Sequence, residues 1–143
     1  MLMNLVVDAS VAAKWIFNES DSDLARALRL DARRQGFELV APEILPAEVG
    51  NVIGKRVVRG EIDPAEARSV FWEFRDLCPA LVRLSGLVEG ALALSVRFRH
   101  SVYDGLYVAL ARERDCILVT ADERLFRLVS PSIRGVRLLR SWV

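Results

Sequence analysis

The segment from Cys116 to Thr120 is apolar almost without interruption, and helical patterns flank it on both sides. A strand with no polar face must be covered on both faces. Meandering antiparallel sheets seldom achieve this, whereas parallel sheets walled by crossover helices do it routinely. Three more short apolar runs, Leu5–Val7, Phe37–Ala41 and Leu81–Leu84, have the same character, and Val136–Leu139 offers a last strand. Between them lie helices. Val11–Phe17 has Ser10 placed to cap it, and Asp23–Arg34 carries Leu24, Ala27, Leu28 and Asp31 at helical spacing with Gly36 to close it. Pro42 and Pro46 introduce a helix over Ala47–Arg59, which Gly60 ends. Pro64–Leu77 follows, with proline in its first turn, Val70, Phe71, Phe74 and Leu77 on one stripe, and Trp72 off it. Glu89–Arg99, Tyr103–Arg114 and Asp122–Val129 complete the set. Alternation of this kind predicts an α/β domain built on a mostly parallel sheet.

A chain of 143 residues fits one domain, 1–143, and 52% hydrophobic residues with a net charge of +1 exclude disorder. Two cysteines, Cys78 and Cys116, with the single histidine His100 supply neither a disulfide framework nor a four-ligand zinc site. Asp8 interrupts the opening apolar run before it reaches signal-peptide length, and no window offers the roughly 20 apolar residues of a membrane span. A cytoplasmic protein with free thiols and no membrane contact is expected. Of 20 cationic residues only Lys14 and Lys55 are lysine, so a local phosphate-binding surface would be made of arginine.

In open parallel sheets, sites form beyond the carboxyl ends of the strands. Asp8 directly follows the first strand, and Asp122 lies just past the fourth. Glu48 sits in the first turns of the helix after the second strand, and Asp104 opens the helix that feeds the fourth. Like charges about 4 Å apart repel by about 4 kcal/mol at an effective dielectric near 20. Four carboxylates converging on one sheet end would therefore take up protons or hold a cation. An all-oxygen donor set selects a hard ion, Mg²⁺ or Mn²⁺, which can activate water against a phosphodiester. Asp8, Asp104 and Asp122 are the candidate ligands, and Glu48 ligates directly or through water. Each of the aspartates also suits a helix cap or first turn, and Glu43 is a decoy beside Glu48.

Asn51, one turn beyond Glu48, is a candidate to orient it or to reach bound water. Ser10 and Thr120 are candidate donors to the carboxylates. Lys14, Arg97 and Arg99 are candidate contacts to a nucleic-acid backbone. Trp15 and Phe17 belong to core or interface, and the Val70-Phe71-Trp72-Phe74 patch serves either core or partner.

Four ordered segments carry a resemblance: Val7-Asp8-Ala9-Ser10, Pro42 to Asn51, Tyr103 to Ala111, and Leu118 to Leu125. Together they resemble the PIN-domain ribonucleases, specifically the VapC-type toxins of bacterial toxin–antitoxin pairs. The resemblance implies a three-layer α/β/α sandwich with a mostly parallel four- or five-stranded sheet, and Mg²⁺- or Mn²⁺-dependent cleavage of RNA. It puts the family's acidic quartet on Asp8, Glu48, Asp104 and Asp122, its polar helper on Asn51 and its hydroxyl on Thr120. It further implies a homodimer silenced by a cognate VapB-type antitoxin, whose tail enters the acidic groove. Gly105 stands where many relatives have alanine, and Arg134–Val143 matches least well.

Two other classes compete. A receiver-like phosphoacceptor module needs a lysine after its last strand, and none lies beyond Lys55. A non-catalytic interaction domain of the same fold would bind no metal. A Gly-rich phosphate loop is missing after the first strand, which argues against a nucleotide-binding fold.

Overall fold

The computed structural model describes residues 3–142; the outer ends of the expected 1–143 domain and Val143 of the 134–143 segment lie outside the described residues. The elements run β1 (Met3–Val7), α1 (Ala9–Ile16), α2 (Ser22–Arg34), β2 (Phe37–Pro42), α3 (Leu45–Val58), α4 (Pro64–Leu77), β3 (Ala80–Val82), α5 (Val88–Phe98), α6 (Val102–Glu113), β4 (Ile117–Thr120), α7 (Glu123–Val129) and β5 (Val136–Leu138). A short 3-10 turn, Leu139–Ser141, closes the described chain.

The five strands form one sheet in the order β3-β2-β1-β4-β5, and every pairing is parallel. The chain therefore steps one way from β1 through β2 to β3, then crosses to the other side for β4 and β5. With right-handed crossovers, that reversal puts α1 to α4 on one face and α5 to α7 on the other. The packing agrees: α1 touches α2, α3 and α4, while α5 packs on α6. The order reverses between β1 and β4, where a crevice opens beyond the strand ends. Val7 lies opposite Val119, so the next residues along the two strands, Asp8 and Thr120, come side by side at its mouth.

The apolar runs become the middle of the core. Leu5, Val6, Val7, Leu118 and Val119 are fully buried, as a strand covered on both faces requires. In α4, Phe74 is buried and Val70, Phe71 and Leu77 are half-buried, while Trp72 stands 57% exposed, off the stripe as its position predicts. Trp15 and Phe17 are core residues, and Trp15 Nε1 donates to the Ala25 carbonyl at 2.9 Å. Among the described residues no helix is long and apolar enough to cross a membrane.

Three local expectations need correction. Ser10 does not cap the first helix; Asp8 does, because β1 runs into α1 with no linker and its carboxylate accepts from the Ser10 and Val11 amides. Helix α3 begins at Leu45, with Pro46 inside its first turn, where the missing amide costs nothing. The edge strand β3 is Ala80–Val82, because Leu84 is already in the turn that delivers α5, its carbonyl accepting from Leu87 and Val88.

Gly105 has a specific use. A Cβ built there would lie 2.5 Å from the Ala91 carbonyl oxygen and 3.1 Å from two further Ala91 backbone atoms. Only a bare Cα lets α6 approach α5 this closely, and that approach fixes where Asp104, the preceding residue, stands.

Candidate active site

Asp8 is the best-anchored of the four acids. Its Oδ1 accepts from the Ser10 hydroxyl at 2.5 Å, and its Oδ2 from the Thr120 hydroxyl at 2.5 Å. The Thr120 hydroxyl oxygen in turn accepts from the Asp122 amide at 3.0 Å, and the Ser10 hydroxyl oxygen accepts from the Ala121 amide at 2.8 Å. Two hydroxyls thus stitch the end of β1 to the end of β4 and hold the Asp8 carboxylate between them. Burial pushes its pKa up to about 6 against these donors, and the nearby Asp104 charge adds to the rise.

Glu48, half-buried on α3, is held from across the crevice. The Tyr107 hydroxyl on α6 donates to its Oε1 at 2.6 Å. Burial raises the Glu48 pKa, the tyrosine hydrogen bond opposes the rise, and Asp104 reinforces it. Tyr107 is itself buried, and its own proton is bound more tightly through burial and the neighbouring Glu48 charge.

Asp104 stands in the first turn of α6, its amide held by the hydroxyl of the N-cap residue Ser101 at 3.0 Å. Its pKa is raised by burial and then by Asp122, while His100, Ser101 and Arg124 pull it down. Asp122 caps α7, accepting from the Leu125 amide at 3.1 Å. The aspartate thus fills the capping role and faces the Asp104 charge as well. Asp104 is the hub of the group: its charge acts on Asp8 and Glu48, and Asp122 acts on it.

The donors are oxygen only, and none of the four carboxylates is in an ion pair among the described residues. In kind, this set suits a hard divalent cation. Among the described residues no three acidic, histidine or cysteine side chains already stand assembled as a metal cage.

The supporting residues divide. Ser10 and Thr120 act on Asp8 as donors. Asn51 is exposed and makes no side-chain hydrogen bond among the described residues, so it does not orient Glu48. Glu43 is exposed, with only its amide engaged in the fold. Lys14 is committed to Glu19 at 3.3 Å and to the Ser20 carbonyl at 2.7 Å. Arg97 lies over the Phe98 ring at 4.6 Å, and Arg99 is the left-handed cap of α5. The basic side chains that lower the Asp104 pKa are His100 and Arg124, which sequence reasoning passed over. Tyr107 was missed too, although its place one turn beyond Asp104 on α6 was the available signal.

Comparison with known proteins adds to this geometry. A family model described as PIN domain matches residues 5–130. Ribonuclease VapC9 of Mycobacterium tuberculosis is 33% identical over 121 residues, covering 85% of this chain and 87% of that protein. Ribonuclease VapC3 of Pyrobaculum aerophilum is 32% identical over 126 residues, covering 86% and 92%. The crystal structure of PAE2754 from Pyrobaculum aerophilum superposes with a TM-score of 0.71 at 20% identity, over 99% of this chain and 94% of that one.

Proposed function

The chain belongs to the PIN-domain family, and from that membership we propose that it is a metal-dependent endoribonuclease, the toxin of a VapBC-type toxin–antitoxin pair. The observation that carries the reading is the acidic group itself: burial raises the pKa of Asp8, Glu48 and Asp104, a neighbouring carboxylate (Asp104 for the first two, Asp122 for the third) adds to the rise, and none of them is in an ion pair among the described residues. A folded protein keeps such a cluster at a cost, and cation binding is the function that repays it.

Asp8, Asp104 and Asp122 would hold the ion, Mg²⁺ or Mn²⁺, with Glu48 ligating directly or through water. Once bound, the ion supplies an activated water and charge stabilisation at the leaving oxygen of an RNA phosphodiester. The chain's own residues do the positioning. Ser10 and Thr120 fix both oxygens of Asp8, and the Tyr107 hydroxyl fixes one oxygen of Glu48. Arg124, exposed and close enough to lower the Asp104 pKa, would meet the RNA backbone on that side. The same anionic crevice suits a basic segment of a VapB-type antitoxin, and we read the protein as a homodimer.

RNA cleavage with Mg²⁺ or Mn²⁺, run on wild type, Asp8→Asn and Asp104→Asn, tests this. Wild type should cleave only with metal, and each variant should fall by about 100-fold or more. Equal cleavage by all three would remove the mechanism.

A further inference from the structure

Three arginines from separate parts of the chain line one cavity of about 330 Å³: Arg97 from the end of α5, Arg112 from the last turn of α6, and Arg134 from the loop between α7 and β5. Cys116 and Val136, which also line it, stand where β4 and β5 begin, so the cavity opens at the end of the sheet opposite the acids. None of the three arginines is in an ion pair among the described residues, although Asp115 lines the same cavity. Arg97 lies over the Phe98 ring at 4.6 Å, a contact that holds one face of the guanidinium and leaves the donors on its edge free. The wider surface has the same sign. Residues 88–142, which supply α5 to α7 with β4 and β5, carry nine arginines against four acids besides Asp104 and Asp122. Residues 3–87 carry eleven cationic side chains and eleven acids besides Asp8 and Glu48. The near-neutral chain therefore has one basic half, and the cavity lies in it.

We propose that this cavity is a second anchorage for RNA, holding backbone phosphates a few nucleotides from the bond that is cut. The proposal rests on the reading above that the chain acts on RNA, and it adds where the strand lies. Guanidinium forks grip phosphate oxygens in pairs and read no base, so the contact is independent of sequence. A route joins the two sites. Helix α7 starts beside the acids at Asp122 and ends before the loop that carries Arg134, and its Arg124 and Arg127 are both exposed along the way. Helix α6 sets the span: Asp104 and Arg112 are eight residues apart on it, about 12 Å, the rise of three or four stacked nucleotides. A free phosphate would occupy the cavity alone, whereas a polyanion uses the cavity and the α7 arginines together.

Fluorescence anisotropy of the full metal-free chain with a labelled single-stranded RNA of about 16 nucleotides reads binding without cleavage. Combining Arg97→Gln, Arg112→Gln and Arg134→Gln should weaken binding by about tenfold or more and flatten the slope of log affinity against log salt by about 2. Arg134→Gln alone, on a loop, should flatten it by about 0.7, which keeps the test open if the triple variant folds poorly. A control triple, Arg33→Gln, Arg59→Gln and Arg68→Gln, removes the same charge from exposed positions on the face of α1 to α4 and should change binding far less. Equal weakening by the two triples would reduce the effect to net charge and overturn the site. A cavity variant that loses inorganic phosphate but keeps RNA would assign the cavity to a small anion, and the proposal fails. A wild type with no affinity for RNA would overturn it as well. RNA held through these arginines yet never cut, with Mg²⁺ or Mn²⁺ present, would overturn the ribonuclease reading and leave the anchorage standing; RNA cut by wild type but bound without them would overturn the anchorage alone.

Discussion

The Tyr107 hydroxyl on α6 donates to Glu48 on α3 across the crevice, and through that bond two helices from separate parts of the chain share one site. Tyr107→Phe keeps the ring and removes the donor. It should cost about 1 kcal/mol of stability and lower RNA cleavage by about tenfold, with the remaining activity still dependent on metal. Urea denaturation and single-turnover cleavage measure the two effects. Unaltered cleavage would mean that Glu48 needs no orientation.

Asp8 makes the metal-free protein sensitive to pH. Its folded pKa of about 6 lies above the ordinary 3.8, so the folded state binds its proton more tightly than the unfolded one does. That contribution is full below about pH 4 and is lost as pH rises through about 6, a change of about 3 kcal/mol from this group. Glu48 and Asp104, also raised, act in the same direction. Without metal, the protein should melt several degrees higher at about pH 5 than at about pH 7.5. Asp8→Asn should flatten much of that slope while abolishing cleavage. A variant that melts along the same pH curve as wild type would show that Asp8 is not strained.

Thr120→Val replaces a fully buried hydroxyl that serves two partners, donating to Asp8 and accepting from the Asp122 amide. The loss should cost about 1–3 kcal/mol and weaken metal binding, since Asp8 is left with one fixed oxygen. Thermal melting with and without Mn²⁺ separates these two effects.

Gly105→Ala tests the close approach of α5 and α6. The added methyl meets the Ala91 backbone, which has no flexible end to move away. The helices must separate at a cost of about 1–3 kcal/mol, carrying Asp104 with them. Many relatives have alanine at this position; in this chain the packing against α5 makes the exchange a damaging one. Chemical denaturation that finds the variant as stable as wild type would contradict the packing argument.

The sequence made the frame legible wherever a pattern was local. Runs such as Leu118-Val119 have no polar face, so they declared buried parallel strands, and an acid at or just past a strand end declared Asp8 and Asp122. Relations across the fold were not legible in this way. Nothing local says that Tyr107 rather than Asn51 reaches Glu48, because that depends on which face of α3 meets α6. Ser10 looked like a cap because serine caps well; the abrupt passage from β1 into α1 gives that place to Asp8 and frees the Ser10 hydroxyl to bind Asp8 and the Ala121 amide. Lys14 looked free for RNA until the fold brought Glu19 and Ser20 around it.

Calorimetric titration of Mn²⁺ into wild type and Asp104→Asn near neutral pH goes to the centre of the account. Saturable binding to wild type, weakened by about tenfold or more when the hub carboxylate is neutralised, is the predicted result. No binding to wild type, or equal binding to both proteins, would contradict it.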